Sequence, residues 1–185
     1  MYGKAGYSRY GTLIQVLDRS LVLVDGSSFL FRAYFALPEL TNSKHHPTGA
    51  MHGVVSMLTR LRNDFKTDFF GVIFDPRGPT LRNEWYPEYK ANRPSMPKNL
   101  EVQIAPLHEM IKALGFPLLQ IEGIEADDVI GTLASRAEKA GTRVLISTGD
   151  KDFAQLVSPN VSLINTEGSI VDEDAVLAKF GVMPE

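Results

Sequence analysis

Short runs of apolar residues alternate along the chain with longer segments in which apolar residues recur every three or four positions. The short runs predict buried strands, and the longer segments predict amphipathic helices. Strands are predicted at Leu21–Val24, Phe69–Phe74, Phe116–Ile121, Arg143–Ser147 and Val161–Asn165. Helices are predicted at Phe29–Phe35, from Gly49 through Leu61, at Leu100–Leu114, from Glu125 to near Gly141, at Phe153–Val157 and at Asp172–Phe180. This alternation predicts an α/β fold of three layers, α/β/α, with a mostly parallel central sheet of about five strands.

Acidic residues stand where the predicted strands end. Asp25 and Asp75 each close an apolar run, and two tight clusters follow later strands, at 125–128 and at 150–152. Because ligands of an open α/β sheet bind beyond the carboxyl ends of its strands, these acids can converge on one point. Crowded carboxylates repel one another unless a cation holds them, and oxygen ligands suit magnesium or manganese. The candidate metal ligands are Asp25, Asp75, Glu125, Asp127, Asp128, Asp150 and Asp152. Capping of helix N-termini is the alternative role for any one of them.

Composition excludes several classes of function. The chain has 185 residues, 44% hydrophobic and 22% charged, which is typical of one ordinary globular domain. It contains no cysteine, so disulfides, thiol catalysis and cysteine-bound zinc are excluded. No apolar run approaches the roughly 18 residues of a membrane span. We expect residues 1–20 to be a flexible extension and 21–185 to be the folded domain, with His45 and His46 exposed in a polar loop.

The segment between Pro76 and Pro97 differs in character from the rest of the chain. It holds five prolines and little apolar periodicity, and its basic residues alternate with aromatic ones. This pattern suits a phosphate backbone and unstacked bases, although a net charge of -3 argues weakly against nucleic-acid binding. Composition alone leaves open the alternative of a surface loop whose aromatic residues pack on the domain. The basic residues are Arg77, Arg82, Lys90 and Arg93, with Lys98 directly after the segment, and the aromatic residues are Trp85, Tyr86 and Tyr89.

The acids suggest phosphodiester hydrolysis. Two metal ions about 4 Å apart activate a water molecule and stabilise the leaving oxygen in such reactions. Lys90 or Arg93 is a candidate to neutralise the charge that builds on the phosphate. A serine or cysteine nucleophile elbow is not found, and the turn after Asp25 lacks the lysine of a phosphate-binding P-loop.

Six motifs resemble one family. They are Val24-Asp25-Gly26-Ser27-Ser28-Phe29-Leu30-Phe31-Arg32-Ala33-Tyr34, Pro47-Thr48-Gly49-Ala50, Phe74-Asp75, Tyr89-Lys90-Ala91-Asn92-Arg93-Pro94, Glu125-Ala126-Asp127-Asp128 and Ser147-Thr148-Gly149-Asp150-Lys151-Asp152. In order and spacing they are similar to the 5′-nuclease domains of bacterial DNA polymerase I, within the flap-endonuclease family with its PIN-like fold. The resemblance runs from about Leu21 to the last residue.

The resemblance implies a 5′-to-3′ exonuclease and flap endonuclease that removes RNA primers and displaced DNA strands, in the cytoplasm with the nucleoid. It implies that Asp25, Asp75 and Asp127 hold one Mg²⁺ and that Asp127, Asp150 and Asp152 hold a second, with manganese able to substitute. Glu125 and Asp128 are expected to assist through water. Tyr89, Lys90 and Arg93, with Arg82 upstream, fall where the family has an arch over the active site, and are therefore expected to contact DNA.

The family continues into a helix-hairpin-helix module, and in polymerases into a polymerase region, neither of which this sequence contains. We therefore expect a weak second metal site and poor affinity for duplex DNA. Two alternatives to an active DNA flap nuclease remain. One is a DNA-binding fragment with little turnover, and the other is a PIN-like ribonuclease acting on single-stranded RNA.

Overall fold

A computed structural model describes residues 20–67, 69–92 and 94–184, and it contains one six-stranded sheet. The strands are β1 Leu21–Asp25, β2 Phe70–Ile73, β3 Leu118–Leu119, β4 Val144–Ser147, β5 Val161–Ile164 and β6 Ile170–Val171. Their order is β3-β2-β1-β4-β5-β6, and only the β5–β6 pairing is antiparallel. The predicted N-terminal extension, apart from Ser20, lies outside the described residues.

Helices cover both faces of this sheet. They are α1 Gly26–Ala36, α2 Gly49–Asp64, α3 Leu81–Trp85, α4 Lys98–Ala113, α5 Ala126–Lys139 and α6 Glu173–Phe180, with a 3-10 helix at Lys151–Leu156. Side chains alternate across β1, so Val22 and Val24 pack with α1, α2 and α4, whereas Leu23 packs with α5, the 3-10 helix and α6. The predicted three-layer α/β/α architecture is confirmed.

The helix α3 and the strands β3 and β6 differ from the prediction, because apolar periodicity does not mark them. α3 begins at a capping box, in which Thr80 N donates to Asn83 Oδ1 at 2.9 Å. β3 is two residues long and lies at the edge of the sheet, where it pairs only with β2. The sixth strand, β6, returns along β5 after a turn at Gly168, whose φ of 88° favours glycine.

The centre of the sheet sets the position of the acids. β1 lies between β2 and β4, where the strand order reverses, and this is the usual place for a ligand crevice in an α/β sheet. α1 starts directly after β1 with Gly26. A glycine is needed at this position because a Cβ there would lie 2.5 Å from Phe74 Cε2 and 2.8 Å from Ile73 O. Among the described residues, no helix has the length and apolarity that crossing a membrane requires.

Candidate functional site

Asp25 lies at the carboxyl end of β1 and is 4% exposed. Its Oδ1 accepts a hydrogen bond from Ser28 N at 2.8 Å, which caps α1, and its Oδ2 accepts one from Thr148 Oγ1 at 2.8 Å. Burial raises the pKa of Asp25, the two hydrogen bonds lower it, and the charges of Asp75 and Asp150 raise it further, so the net direction is upward. The carboxylate is therefore held rigidly between α1 and the end of β4.

Asp75 follows β2 and joins this strand to the start of α5. Its Oδ1 accepts from Ala126 N at 2.9 Å, and its own N donates to Ser27 Oγ at 3.0 Å. Asp150 lies beyond β4, where it caps the 3-10 helix by accepting from Asp152 N at 2.9 Å. The capping role that the sequence left open is thus real for Asp25 and Asp150, and it fixes where their carboxylates lie.

Asp127 stands in the first turn of α5, facing three other aspartates. Burial, followed by the charges of Asp25, Asp75 and Asp150, raises the pKa of Asp127 to about 6, although Lys90 opposes the shift. Four carboxylates from four separate parts of the chain therefore lie within electrostatic reach of one another. This is the convergence that the positions at strand ends predicted.

Replacing Asp127 by asparagine is expected to stabilise the metal-free chain above about pH 7 by about 1 kcal/mol, after allowance for solvent screening of this partly exposed side chain. The pKa of Asp127 is higher in the folded chain than its usual 3.8, so its favourable contribution exists at low pH and is lost as pH rises through about 6. Thermal unfolding with a chelator checks this. The gain in stability should vanish below about pH 4. An equal gain at about pH 4 and about pH 7 would contradict the assigned repulsion between the aspartates.

Glu125, the N-cap residue of α5, is 5% exposed and binds the segment that carries the basic and aromatic residues. Its Oε2 accepts from Arg82 Nη1 at 2.5 Å and from Tyr89 OH at 3.1 Å, and its Oε1 accepts from Lys90 Nζ at 2.9 Å. Burial by itself would raise the pKa of Glu125, but the hydrogen bonds and charges of Lys90, Tyr89 and Arg82 lower it. Glu125 is therefore ionised and paired with cations.

Asp128 completes this network through the same arginine, because Arg82 Nη2 donates to Asp128 Oδ1 at 2.6 Å. The acids and the basic residues form separate groups along the sequence, and the structure joins them. Glu125 and Asp128 each have a cationic partner, whereas Asp25, Asp75, Asp127 and Asp150 face one another. Arg93, predicted to act on the phosphate and to bind DNA, lies outside the described residues.

A cleft of about 560 Å³ connects the two acid clusters with the basic segment. Its lining includes Asp127, Asp128, Asp150 and Asp152 from the predicted ligand set and Arg82, Tyr89 and Lys90 from the predicted DNA contacts. Within the described ranges, no three His, Asp or Glu side chains form a ready-made ion cage. The donor set nevertheless fits a hard divalent cation, since it offers only oxygen and carries repulsion that such a cation relieves.

Sequence reasoning did not assign a role to Thr148 in the site. Its hydroxyl donates to Asp25 and accepts from Asp150 N at 3.0 Å, and the residue is 4% exposed. Nearby, Gly149 N donates to Ser28 Oγ at 3.1 Å. Hydroxyl residues two or three positions from the acids, Ser27 and Ser28 after Asp25 and Thr148 before Asp150, were the available signal. His45 and His46 are exposed, as predicted, and lie outside this site.

Comparison with known proteins identifies the family of this chain. The model of the "5'-3' exonuclease, N-terminal resolvase-like domain" matches residues 20–181. The chain belongs to this family. Among the relatives of this exonuclease-family domain, DNA polymerase I of Pseudomonas aeruginosa is 58% identical over 166 residues, covering 89% of the chain and 18% of the polymerase. A 5'-3' exonuclease of Aquifex aeolicus is 42% identical over 168 residues, covering 90% of the chain and 58% of the relative.

Solved structures confirm the PIN-like fold of this exonuclease-family domain. The bacteriophage T5 5'-exonuclease with bound zinc ions superposes with a TM-score of 0.66 at 23% identity, over 89% of this chain and 62% of that one. A complex of the T5 flap endonuclease with DNA and metal ions gives a TM-score of 0.65 at 24% identity, over 89% and 61%. The chain therefore spans less than two thirds of the proteins that it matches.

Proposed function

We propose that this chain is the metal-binding part of a magnesium-dependent nuclease that cleaves DNA as a 5′-to-3′ exonuclease and flap endonuclease. One observation carries the proposal. Asp25, Asp75, Asp127 and Asp150 converge at the carboxyl ends of β1, β2 and β4, where partial burial and then the charges of the other three aspartates raise the pKa of Asp127 to about 6. Crowding this much like charge is costly, and a bound divalent cation offsets the cost.

The expected ligands divide between two ions. Asp25, Asp75 and Asp127 would hold the first, and Asp127, Asp150 and Asp152 the second, with Mn²⁺ able to replace Mg²⁺. The ions would supply an activated water molecule and stabilise the leaving oxygen. Ser28 and Thr148 orient Asp25, and the start of α5 orients Asp75. The carboxylates of Asp25 and Asp75 are therefore held in place before any ion arrives, and such preorganisation favours phosphodiester cleavage.

Lys90 is the described cation best placed to meet a phosphate at this cleft. Its Nζ lies 2.9 Å from Glu125 Oε1 and 4.9 Å from the centre of the Tyr89 ring, and 30% of its side chain is exposed. Contact with Glu125 keeps the ammonium charged, because the net pKa shift of Lys90 is upward although burial lowers it. Lys90, together with Arg93, would neutralise charge on the scissile phosphate, and Arg82 and Tyr89 would help to bind the DNA.

The proposed substrate is DNA with a 5′ single-stranded flap or an RNA primer. The relatives and the T5 enzymes support DNA as the substrate class. The enzyme would meet this DNA in the nucleoid, within the cytoplasm. The longer relatives suggest that a further C-terminal module, or a polymerase region, cooperates with this domain in a full-length protein.

A cleavage assay with chelator tests this function. We expect a labelled 5′-flap DNA to be cut in Mg²⁺ or Mn²⁺, and EDTA to abolish the product, because the aspartates cannot activate water without an ion. A matched single-stranded RNA separates this function from that of a ribonuclease. Cleavage that survives EDTA contradicts the metal mechanism, preferential cleavage of the RNA supports the ribonuclease, and tight binding without product supports a fragment with little turnover.

A further inference from the structure

Trp85 is the single tryptophan of the chain and, at the end of α3, is 77% exposed. It borders a groove of about 570 Å³ between α3 and α5, distinct from the acid cleft. Most of the lining is apolar, with Leu81, Ile121 and Leu133 among its side chains. A large exposed aromatic ring beside an apolar groove usually marks a binding surface.

The groove adjoins the acid cleft. Arg82, Asp128 and Thr132 line both, so the ion pair between Arg82 Nη2 and Asp128 Oδ1, at 2.6 Å, forms part of the wall that separates them. α3 is held in place here because Leu81 N donates to Gly123 O at 2.9 Å. A polymeric ligand that extends from the cleft past the Arg82–Asp128 pair therefore enters this groove next.

Charge favours a polyanion as the occupant. Arg136 lines the groove from α5, and within the described ranges it forms no ion pair. The two acids that also line the groove, Glu125 and Asp128, are paired with two cations, Arg82 and Lys90, so their charges are compensated. Aromatic faces for bases combined with cations for phosphates are how proteins bind single-stranded nucleic acid. An apolar helix of a protein partner would fill the groove but leave Arg136 without a counterion.

We propose that this groove binds the single-stranded DNA segment that lies beyond the Arg82–Asp128 pair, with a base stacked on Trp85 and a phosphate on Arg136. This subsite rests on the proposed nuclease function and extends it. It predicts that affinity depends on the length of the single-stranded 5′ extension, because only a strand long enough to pass the ion pair reaches Trp85.

Tryptophan fluorescence tests the subsite directly, since Trp85 is the sole reporter. The full chain, with EDTA to prevent cleavage, is titrated with one hairpin duplex bearing a 5′ extension of either about two or about ten thymidines. We expect quenching with the long extension only. In anisotropy titrations with labelled DNA, Trp85→Ala should weaken binding of the long extension about tenfold, and Trp85→Phe should restore most of it.

The proposed role of Arg136 has a matched control on the same helix, α5. Arg136→Gln should weaken binding of the long extension about threefold and reduce its salt dependence by about one counterion, whereas Lys139→Gln, exposed but outside the groove, should not. Equal quenching by both extensions, or unchanged affinity in Trp85→Ala, overturns the subsite. Cleavage of the short-extension DNA in Mg²⁺ is measured in parallel, so a failed subsite with intact cleavage is distinguished from a failed nuclease function.

Discussion

Replacing Asp127 by alanine is expected to reduce cleavage of a 5′-flap DNA about a thousandfold or more, equivalent to about 4 kcal/mol of the activation barrier. Asp127 is the proposed ligand shared by both ions, and its carboxylate lies within electrostatic reach of Asp25, Asp75 and Asp150. Its loss therefore weakens both metal sites at once. Single-turnover rates at saturating Mg²⁺, measured beside the unmodified chain, check the result.

The unfolding temperature of the variant distinguishes a folding defect from a catalytic one, because removing one of four crowded carboxylates relieves repulsion. Since the folded chain disfavours ionised Asp127, the alanine variant should unfold at or above the temperature of the unmodified chain in EDTA at neutral pH. Asp174→Ala, which removes an exposed acid from the first turn of α6, serves as the matched control and should cleave normally. Normal cleavage by the Asp127 variant would refute the assignment of the metal centre.

Replacing Glu125 by alanine is expected to lower the free energy of unfolding by about 2 kcal/mol and to release the segment that contains Arg82, Tyr89 and Lys90. The change leaves Lys90 without the carboxylate that pairs with it and Arg82 with Asp128 alone. Breaking a fully buried ion pair costs about 3–5 kcal/mol. The smaller value applies here because the side chains of Arg82 and Lys90 are 35% and 30% exposed. Urea unfolding measures the stability, and limited proteolysis measures the release of the segment.

The control for this change is Glu84→Ala, an exposed acid within α3, which should alter neither measurement. The effect should also depend on pH with a defined sign. The pKa of Glu125 is lowered in the folded chain, so its stabilising contribution is present above the usual carboxyl pKa and is lost as pH falls through the lowered value. A stability difference that is undiminished in acid would show that lost packing, rather than lost ion pairs, causes the destabilisation.

Much of the site follows from the sequence because it depends on a rule of local order. Asp25 and Asp75 end apolar runs, parallel strands bring their carboxyl ends to one edge, and the convergence of Asp25, Asp75, Asp127 and Asp150 follows from these two facts. The three-layer architecture follows equally from the alternation of strand and helix periods. The six motifs also predicted the family, which the match over residues 20–181 confirms.

Other features were set only by contacts between distant parts of the chain. Arg82 is 43 residues from Glu125 and 46 from Asp128, so no pattern along the sequence indicates that these charges neutralise one another. Thr148 meets Asp25 across 123 residues. α3 could not be predicted from periodicity because a capping box and contacts to the loop before α5 hold this five-residue helix in place.

The sequence by itself determined which acids follow the strands and that they share one edge of the sheet, because the strand and helix periods and their alternation are encoded locally. The tertiary structure decided which acids face one another and which are paired with cations, and it placed a groove beside Trp85. These outcomes depend on distances between residues far apart in the chain, which packing of the completed core sets and periodicity does not contain.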